Sequence, residues 1–341
     1  AFYVAIGCQG GRLPGVPGEH AAGTDIAVHF LHEALADENQ HMDGRVVVIG
    51  GGNVAVDCAR TAVRFGAEAV SMVCLESRET MPASKDEIAE AEEERVEICA
   101  GWGPKELLQD ESGHVTAVVF KKCLRTIDPE TGKFAPVYDE AETITLPAEH
   151  VVFAIGQAIE WGGLLTGTKV EFHRGNYPVA DPLTYQTAEE DIFVGGDVYH
   201  GPKFVIDAIE EGKCAAESLH RYVHKGASLT IGRNRRDFVM LDKENFSVNC
   251  YDHAARQTEA VDPAVDAHSF RDARKTLTPE QVQTETARCL GCGASWVDPN
   301  KCIGCGVCTT KCVFDAIHLK RDHPECSTMM KAEDKLKGIA S

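Results

Sequence analysis

The sequence predicts an α/β fold: two nested parallel-sheet units, one interrupted by the other, with a small α+β module at the C-terminal end. Three observations carry that expectation. An apolar run, a glycine turn and a helical pattern follow one another from Arg45 to Gly66. Two separate apolar runs, Tyr3 to Gly7 and Val151 to Gly156, close on the same Ala-Ile-Gly. Seven of the 14 cysteines crowd between Cys289 and Cys326.

From the first residue, Phe2 to Ile6 reads as a buried strand stopped by Gly7, and Pro14, Gly15, Pro17 and Gly18 make the next loop turn-rich. Residues from about Ala27 to Ala36 predict an amphipathic connector helix. Val46 to Ile49 fits a strand buried on both faces of a parallel sheet. Gly50-Gly51-Gly52-Asn53-Val54-Ala55 then has the pattern G-x-G-x-x-A. Its first glycine permits a tight turn, its second lets a pyrophosphate approach the backbone, and its alanine keeps helix against strand. The following helix carries Val54, Cys58, Ala62 and Phe65 at helical spacing, and Gly66 suits its stop. Unpaired N–H groups and the positive dipole end at its start would face a phosphate. Ala69 to Leu75 supplies a second strand, and Glu76 at its end can accept hydrogen bonds from both ribose hydroxyls of an adenosine. A glycine-rich turn alone occurs in many α/β proteins. Strand, glycine loop, helix, strand and acid in this order point to dinucleotide binding on a Rossmann-like unit.

Ser84 and Glu87 have the spacing of a capping box at the head of a very acidic helix. Val115 to Phe120 is a strand pattern, and Asp128-Pro129-Glu130-Thr131-Gly132 a turn within a hairpin. Val151 to Gly156 echoes the opening strand, which suggests two nucleotide-binding units; chance likeness between buried strands is the alternative. Ile192 to Gly196 is a short strand whose glycines lead to Asp197, placed to bond a polyhydroxyl chain. A helix then runs from near Phe204 to about Val223, and its first amides, around Phe204 and Val205, can stabilise negative charge on a reduced isoalloxazine ring. Residues 227–285 are polar and mixed and read as a connector, with a small subdomain as the alternative. Thr278-Pro279-Glu280-Gln281 starts a helix that runs into Cys289.

The 341 residues give room for two or three domains. A formal net charge of −19 speaks against nucleic acid or an anionic membrane as partner, and no apolar run is long enough to span a bilayer. The cysteine crowding is metal spacing rather than a disulfide framework, which points to a reducing, cytoplasmic setting. Ala1 to Gly7 already reads as the middle of a strand, so the chain is expected to be a piece of something longer.

Five stretches occur in one order over roughly the first two thirds of the chain: Ala5-Ile6-Gly7, Val47 to Asp57, Arg78 to Ala83, Val152 to Gly156, and Phe193 to Asp197. In that order they resemble the pyridine-nucleotide-dependent flavoproteins of the glutamate synthase small-subunit type, relatives of which serve in electron-bifurcating complexes. The resemblance implies an FAD-binding domain, residues 1–43 and 157–226, interrupted by an NAD(P)-binding domain, residues 44–156. Gly7, Gly196 and Asp197 would then serve the flavin, Gly50, Gly51, Gly52, Asn53, Val54, Glu76 and Arg78 the dinucleotide, and Gly156 would let a dinucleotide lie across its strand end. The family opens its FAD domain with a further G-x-G-x-x-G that this sequence lacks, so the other FAD half is expected on a preceding segment or another chain. NADPH-using members carry a pair of arginines where this chain has Leu75 and Glu76. A 2′-phosphate would meet a carboxylate, so NADH is expected, with Arg78 keeping NADPH as the alternative.

Cys302, Cys305, Cys308 and Cys312 have the spacing C-x2-C-x2-C-x3-C. Thiolates on one small loop can reach three corners of a 4Fe–4S cube, and the glycines between them let the loop curl. Phe314 to Leu319 is expected as strand-like apolar cover in a ferredoxin-like module, residues 286–341. A zinc ribbon on Cys289, Cys292, Cys302 and Cys305 is the alternative, but zinc has no need of Cys308 and Cys312 at these offsets. Cys289, Cys292 and Cys312 would begin a second cluster, completed by Cys326 or a ligand from elsewhere. One cluster or two therefore stays open. The other cysteines, Cys8, Cys58, Cys74, Cys99, Cys123, Cys214 and Cys250, read as small buried hydrophobes.

The expectation is an electron-transfer flavoenzyme subunit. NADH reduces FAD, and electrons leave through 4Fe–4S clusters to ferredoxin or a similar one-electron carrier, inside a multi-subunit redox complex of the kind that includes bifurcating assemblies. No acid–base or nucleophilic residue is required, because the cofactors carry the hydride. Two other readings stand beside it: a small subunit delivering NAD(P)H electrons to a glutamate-synthase-type partner, and a non-catalytic iron–sulfur adaptor.

Overall fold

The computed structural model describes residues 1–37, 40–224, 226–233, 242, 254–265, 268–289, 297–298, 301–312, 315–321 and 323–324. They form two compact units, Ala1–Val248 with Glu259–Thr276, and Asn249–Thr258 with Leu277–Ser341. The larger opens with β1 (Phe2–Val4), β2 (Gly10–Gly11), β3 (Thr24–Ile26) and α1 (Ala27–Ala36). Next come β4 (Arg45–Ile49), α2 (Asn53–Arg64), β5 (Ala69–Cys74), α3 (Lys85–Glu93) and β6 (Glu97–Ala100). A meander of β7 (Trp102–Gln109), β8 (Val115–Ile127) and β9 (Phe134–Pro147) leads to β10 (His150–Phe153) and β11 (Gln157–Ala158). The unit finishes with β12 (Ile192–Val194), α4 (Asp197–His200) and α5 (Val205–Val223).

Five parallel strands form the central sheet in the order β3-β10-β4-β5-β6. Alternation along β4 explains its unbroken apolar run. Val46 and Val48 face a core shared with α1, α2 and α3, whereas Val47 and Ile49 face a second core closed by Val118 and Phe120 of the meander. β3 and α1 belong to this layered unit, although the sequence reading placed residues 1–43 with the outer one. The reason is packing: β3 pairs with β10 at the sheet's edge, and Ala27, Phe30 and Ala34 bury the apolar side of α1 in the helix-side core.

The helix ends follow their local chemistry. Gly66 adopts φ 89°, and the Gly66→Val63 and Ala67→Ala62 amide–carbonyl bonds form a Schellman stop to α2. Ser84 caps α3 by accepting the Glu87 N–H at 3.2 Å. Its own N–H donates to Asn53 Oδ1 at 2.9 Å, so the second half of the expected capping box is supplied by the glycine loop. Asp128 Oδ1 accepts the Glu130 and Thr131 amides in the expected hairpin turn. β6, β7 and α4 were not anticipated from the sequence.

Outside the central sheet, β1 and β12 run parallel, Tyr3 beside Phe193 and Val4 beside Val194, over a third core around Val194 and Val198. The chain crosses between this lobe and the central sheet twice, and both crossings meet. β2 and β11 pair antiparallel there, with the Arg12 N–H donated to the Gly156 carbonyl at 3.1 Å. Residues 259–276, read from sequence as part of the connector, pack on the central unit. Phe270 meets Phe65 edge-on at 5.4 Å, and Arg274 pairs with Glu90 at 2.8 Å.

The smaller unit holds α6 (Pro279–Ala287), started by the expected Thr278–Gln281 capping box, and α7 (Val307–Lys311). The expected strand-like cover is not found: described residues 315–321 form no strand, and Ile317 and Leu319 are exposed. This stretch is short and has no described strand beside it to complete a ladder. Phe314 lies outside the described residues.

Candidate dinucleotide, flavin and iron–sulfur sites

A cavity of about 840 Å³ opens at the C-terminal ends of β4 and β5, where parallel sheets present ligand sites. Gly50, Gly51, Gly52, Asn53, Val54, Glu76 and Gly156 all border it. Gly50 sits at φ 152°, and a Cβ there would overlap the Ala154 carbonyl at the end of β10. A Cβ on Gly51 would lie 2.8 Å from Cys74 Cβ and 3.1 Å from Glu76 Oε2, which places the Glu76 carboxylate against the loop. Above Gly52 there is open space within 4 Å, as a phosphate approaching the α2 N-terminus requires. Loop, helix end and acid therefore fit a dinucleotide.

Asn53 turns its amide oxygen to Ser84 and so anchors the loop to α3. Arg78 does not border the cavity; its guanidinium pairs with Glu92 at 2.8 Å. Cys74 borders the cavity, but burial pushes its thiol up to about 11, which keeps it protonated. Sequence reasoning missed the opposite wall: Trp102, Pro104, Lys121, Phe134, Pro136 and Tyr138 of the meander. The signal was the two-residue alternation of Phe134, Pro136 and Tyr138, hidden in a segment read only as a hairpin.

Gly7, Gly196 and Asp197, expected at a flavin, gather at the ends of β1 and β12. Gly7 and Gly196 adopt φ 71° and 69°, and the Cys8 thiol donates to the Asp197 carbonyl at 3.5 Å. Asp197 Oδ1 accepts the Lys203 N–H at 3.3 Å. The nearly buried Glu211 was missed in the sequence; its carboxylate accepts the Gly196 N–H at 2.5 Å and lies 3.2 Å from His200 Nε2. Phe204 and Val205, at the start of α5, are 74% and 76% exposed. None of Gly7, Gly196, Asp197, Phe204 and Val205 borders the dinucleotide cavity, but Pro202, between α4 and α5, does. The left-handed glycines and Asp197 suit a polyhydroxyl chain beside paired strand ends.

Of the candidate metal ligands, Cys289, Cys302, Cys305 and Cys308 are exposed and Cys312 is half-buried; Cys292 and Cys326 lie outside the described residues. Among the described residues no three metal-binding side chains converge. Gly304 and Gly306, at φ 67° and 77°, turn the loop between cysteines, and Cys312 Sγ accepts the Ala316 N–H at 3.4 Å. That donor set suits thiolate ligation of iron. Cys8, Cys58, Cys74 and Cys123 are buried, Cys99 and Cys214 half-buried, and Cys250 lies outside the described residues. No described helix is long and apolar enough to cross a membrane.

The chain is similar to several known proteins. Residues 295–318 match a 4Fe–4S binding domain. The NADP(+)-dependent formate dehydrogenase subunit beta of Moorella thermoacetica is 32% identical over 86% of this chain and 42% of its own length. The glutamate synthase [NADPH] small chain of Azospirillum brasilense is 32% identical over 68% of this chain and 50% of its own. The chain thus spans about half the length of these curated relatives. Mycobacterium tuberculosis FprA in complex with NADPH shares the fold at 17% identity, with a TM-score of 0.51 over 65% of this chain and 63% of that one. A pyridine nucleotide-disulphide oxidoreductase model matches residues 2–212, more than half of the sequence, and the chain belongs to that family.

Proposed function

We propose that this chain is the NADH-binding, flavin- and iron–sulfur-dependent part of a multi-subunit oxidoreductase. One observation carries the reading: a cleft built from the glycine loop and Glu76 shares a chain with a 4Fe–4S binding segment. Nicotinamide and flavin supply the hydride chemistry when bound. The chain's own residues hold and orient them. The amides at the start of α2 take the pyrophosphate, Glu76 takes the adenosine ribose, and Asp197, set by Gly196 and Glu211, takes the flavin's polyhydroxyl chain. Cys302, Cys305 and Cys308 ligate one cluster, with Cys312 or a more distant cysteine as fourth ligand; Cys289, Cys292 and Cys326 are left for a second. Electrons pass to ferredoxin or a similar one-electron carrier.

The crossing of β2 and β11 supports a dinucleotide domain of residues 12–156, carried by a flavin lobe of residues 1–11 and 157–226, which a further subunit or segment completes. The relative from Moorella is named a formate dehydrogenase subunit and aligns past residue 212, through most of the chain, which favours a redox-complex subunit over an isolated flavoenzyme. The relatives are named for NADP; Glu76 at the ribose and the engagement of Arg78 with Glu92 support NADH here. The test is anaerobic addition of NADH to the complete flavin-loaded protein. Flavin absorbance should bleach; retained absorbance with NADH bound overturns the reading.

A further inference from the structure

The dinucleotide fingerprint accounts for one wall of the cleft, and the meander builds the other. Gly101, at φ 81°, donates its N–H to the Glu76 carbonyl at 2.8 Å and accepts the Cys123 N–H at 2.8 Å. Trp102, the next residue, is thereby fixed beside the acid. In the β7–β8 ladder Trp102 stands opposite Lys122, whose Nζ lies 4.4 Å from the ring centroid. Trp102 borders the cleft and Lys122 does not, and the indole also packs against the core behind the sheet. Gly103 brings a second ring down. A Cβ there would sit 2.6 Å from Tyr138 Cε1 and 2.7 Å from Leu75 Cδ2, so its absence lets Tyr138 settle against the residue preceding Glu76. Lys121 Nζ lies 4.3 Å from the Tyr138 centroid.

An adenosine bonded through its ribose to Glu76 carries its base on the carbon next to the 2′-hydroxyl. The base must then lie against whatever borders the acid, and here that is an aromatic wall. We propose that Trp102 is the adenine platform of the site. Stacking suits this task because every purine offers a π-face, and an indole offers the broadest partner. The proposal rests on the dinucleotide reading and adds to it the half of the site that recognises the base.

The experiment titrates ADP-ribose, which lacks nicotinamide, into the whole chain and follows tryptophan emission and affinity. Stacking on Trp102 should quench emission. Trp102→Ala should weaken ADP-ribose binding by about tenfold or more, while nicotinamide mononucleotide binding stays at its wild-type level. Trp102→Phe should keep most of the affinity and lose the quench, since Trp161 and Trp296 remain as the other tryptophans. Unchanged ADP-ribose affinity in Trp102→Ala, or a full quench in Trp102→Phe, overturns the platform and leaves the dinucleotide reading standing. No binding of ADP-ribose by the wild-type chain overturns both.

Discussion

In the proposed function Glu76 decides between the two nicotinamide cofactors. Its carboxylate lies against Gly51, so a 2′-phosphate at the ribose would meet a negative charge in a partly enclosed cleft. NADH should bind more tightly than NADPH. Glu76→Arg should narrow or reverse that gap, because it removes the repulsion and adds a pairing partner; titration of both cofactors against both proteins decides it. Gly50 was legible from the turn motif, but its severity was not, since the clash comes from Ala154 more than 100 residues away. Gly50→Ala should destabilise the fold by roughly 2–4 kcal/mol, measured by urea unfolding. Long-range pairs were likewise hidden. Arg45, through guanidinium and backbone N–H, holds the Glu149 carboxyl down at about 2 from an ordinary 4.5. A depressed carboxyl adds stability above its ordinary range and loses it as pH falls toward about 2. Both side chains are about two-fifths exposed, so the contribution is small. The stability difference between wild type and Glu149→Gln should hold from pH 7 to about pH 5 and shrink below it toward about pH 3; a constant difference throughout would rule out the ion pair as its source.

Among the elements, α1, α2, α5 and α6 were readable because their caps and periodicities are local. The meander was only half readable. Val115 to Phe120 marked β8, but β7 carries Pro104 and polar residues that owe their strand state to the ladder with β8. The end of α3 hides a different cost. Arg95 occupies the left-handed position, φ 68°, of a Schellman stop formed by Arg95→Glu92 and Val96→Ala91 bonds. A non-glycine residue there is strained. Arg95→Gly should therefore stabilise the protein by roughly 0.5–1 kcal/mol, read as a higher urea midpoint with an unchanged slope. A lower midpoint would show that the arginine side chain contributes more than its backbone costs.

Across the whole molecule, the cysteine spacing announced the iron–sulfur segment, and the order of glycine motifs announced the nested lobes. The aromatic wall stayed hidden because tertiary packing, not local pattern, turns it toward the cleft. Iron and inorganic sulfide, determined anaerobically on the complete protein, should come to about four of each per chain for one cluster or about eight for two. Zinc without sulfide would refute the electron-exit role. Cys305→Ser should lose one cluster and block reduction of a one-electron acceptor while NADH still bleaches the flavin.

The β2–β11 crossing also bears on how the gene can be cut. A segment that enters and leaves its host at one hydrogen-bonded point has adjacent ends and behaves as an insert. The two cores flanking the central sheet draw on residues from Val16 to Ile155, so excision at the crossing leaves both intact. A gene fragment encoding residues 12–156 should yield a folded NADH-binding domain. Removing it and joining Gly11 directly to Gln157 should leave the host lobe's third core uninterrupted. The excised domain loses the cover that Phe270 gives Phe65 and the Arg274–Glu90 pair, so its melting temperature should fall modestly while its NADH affinity holds.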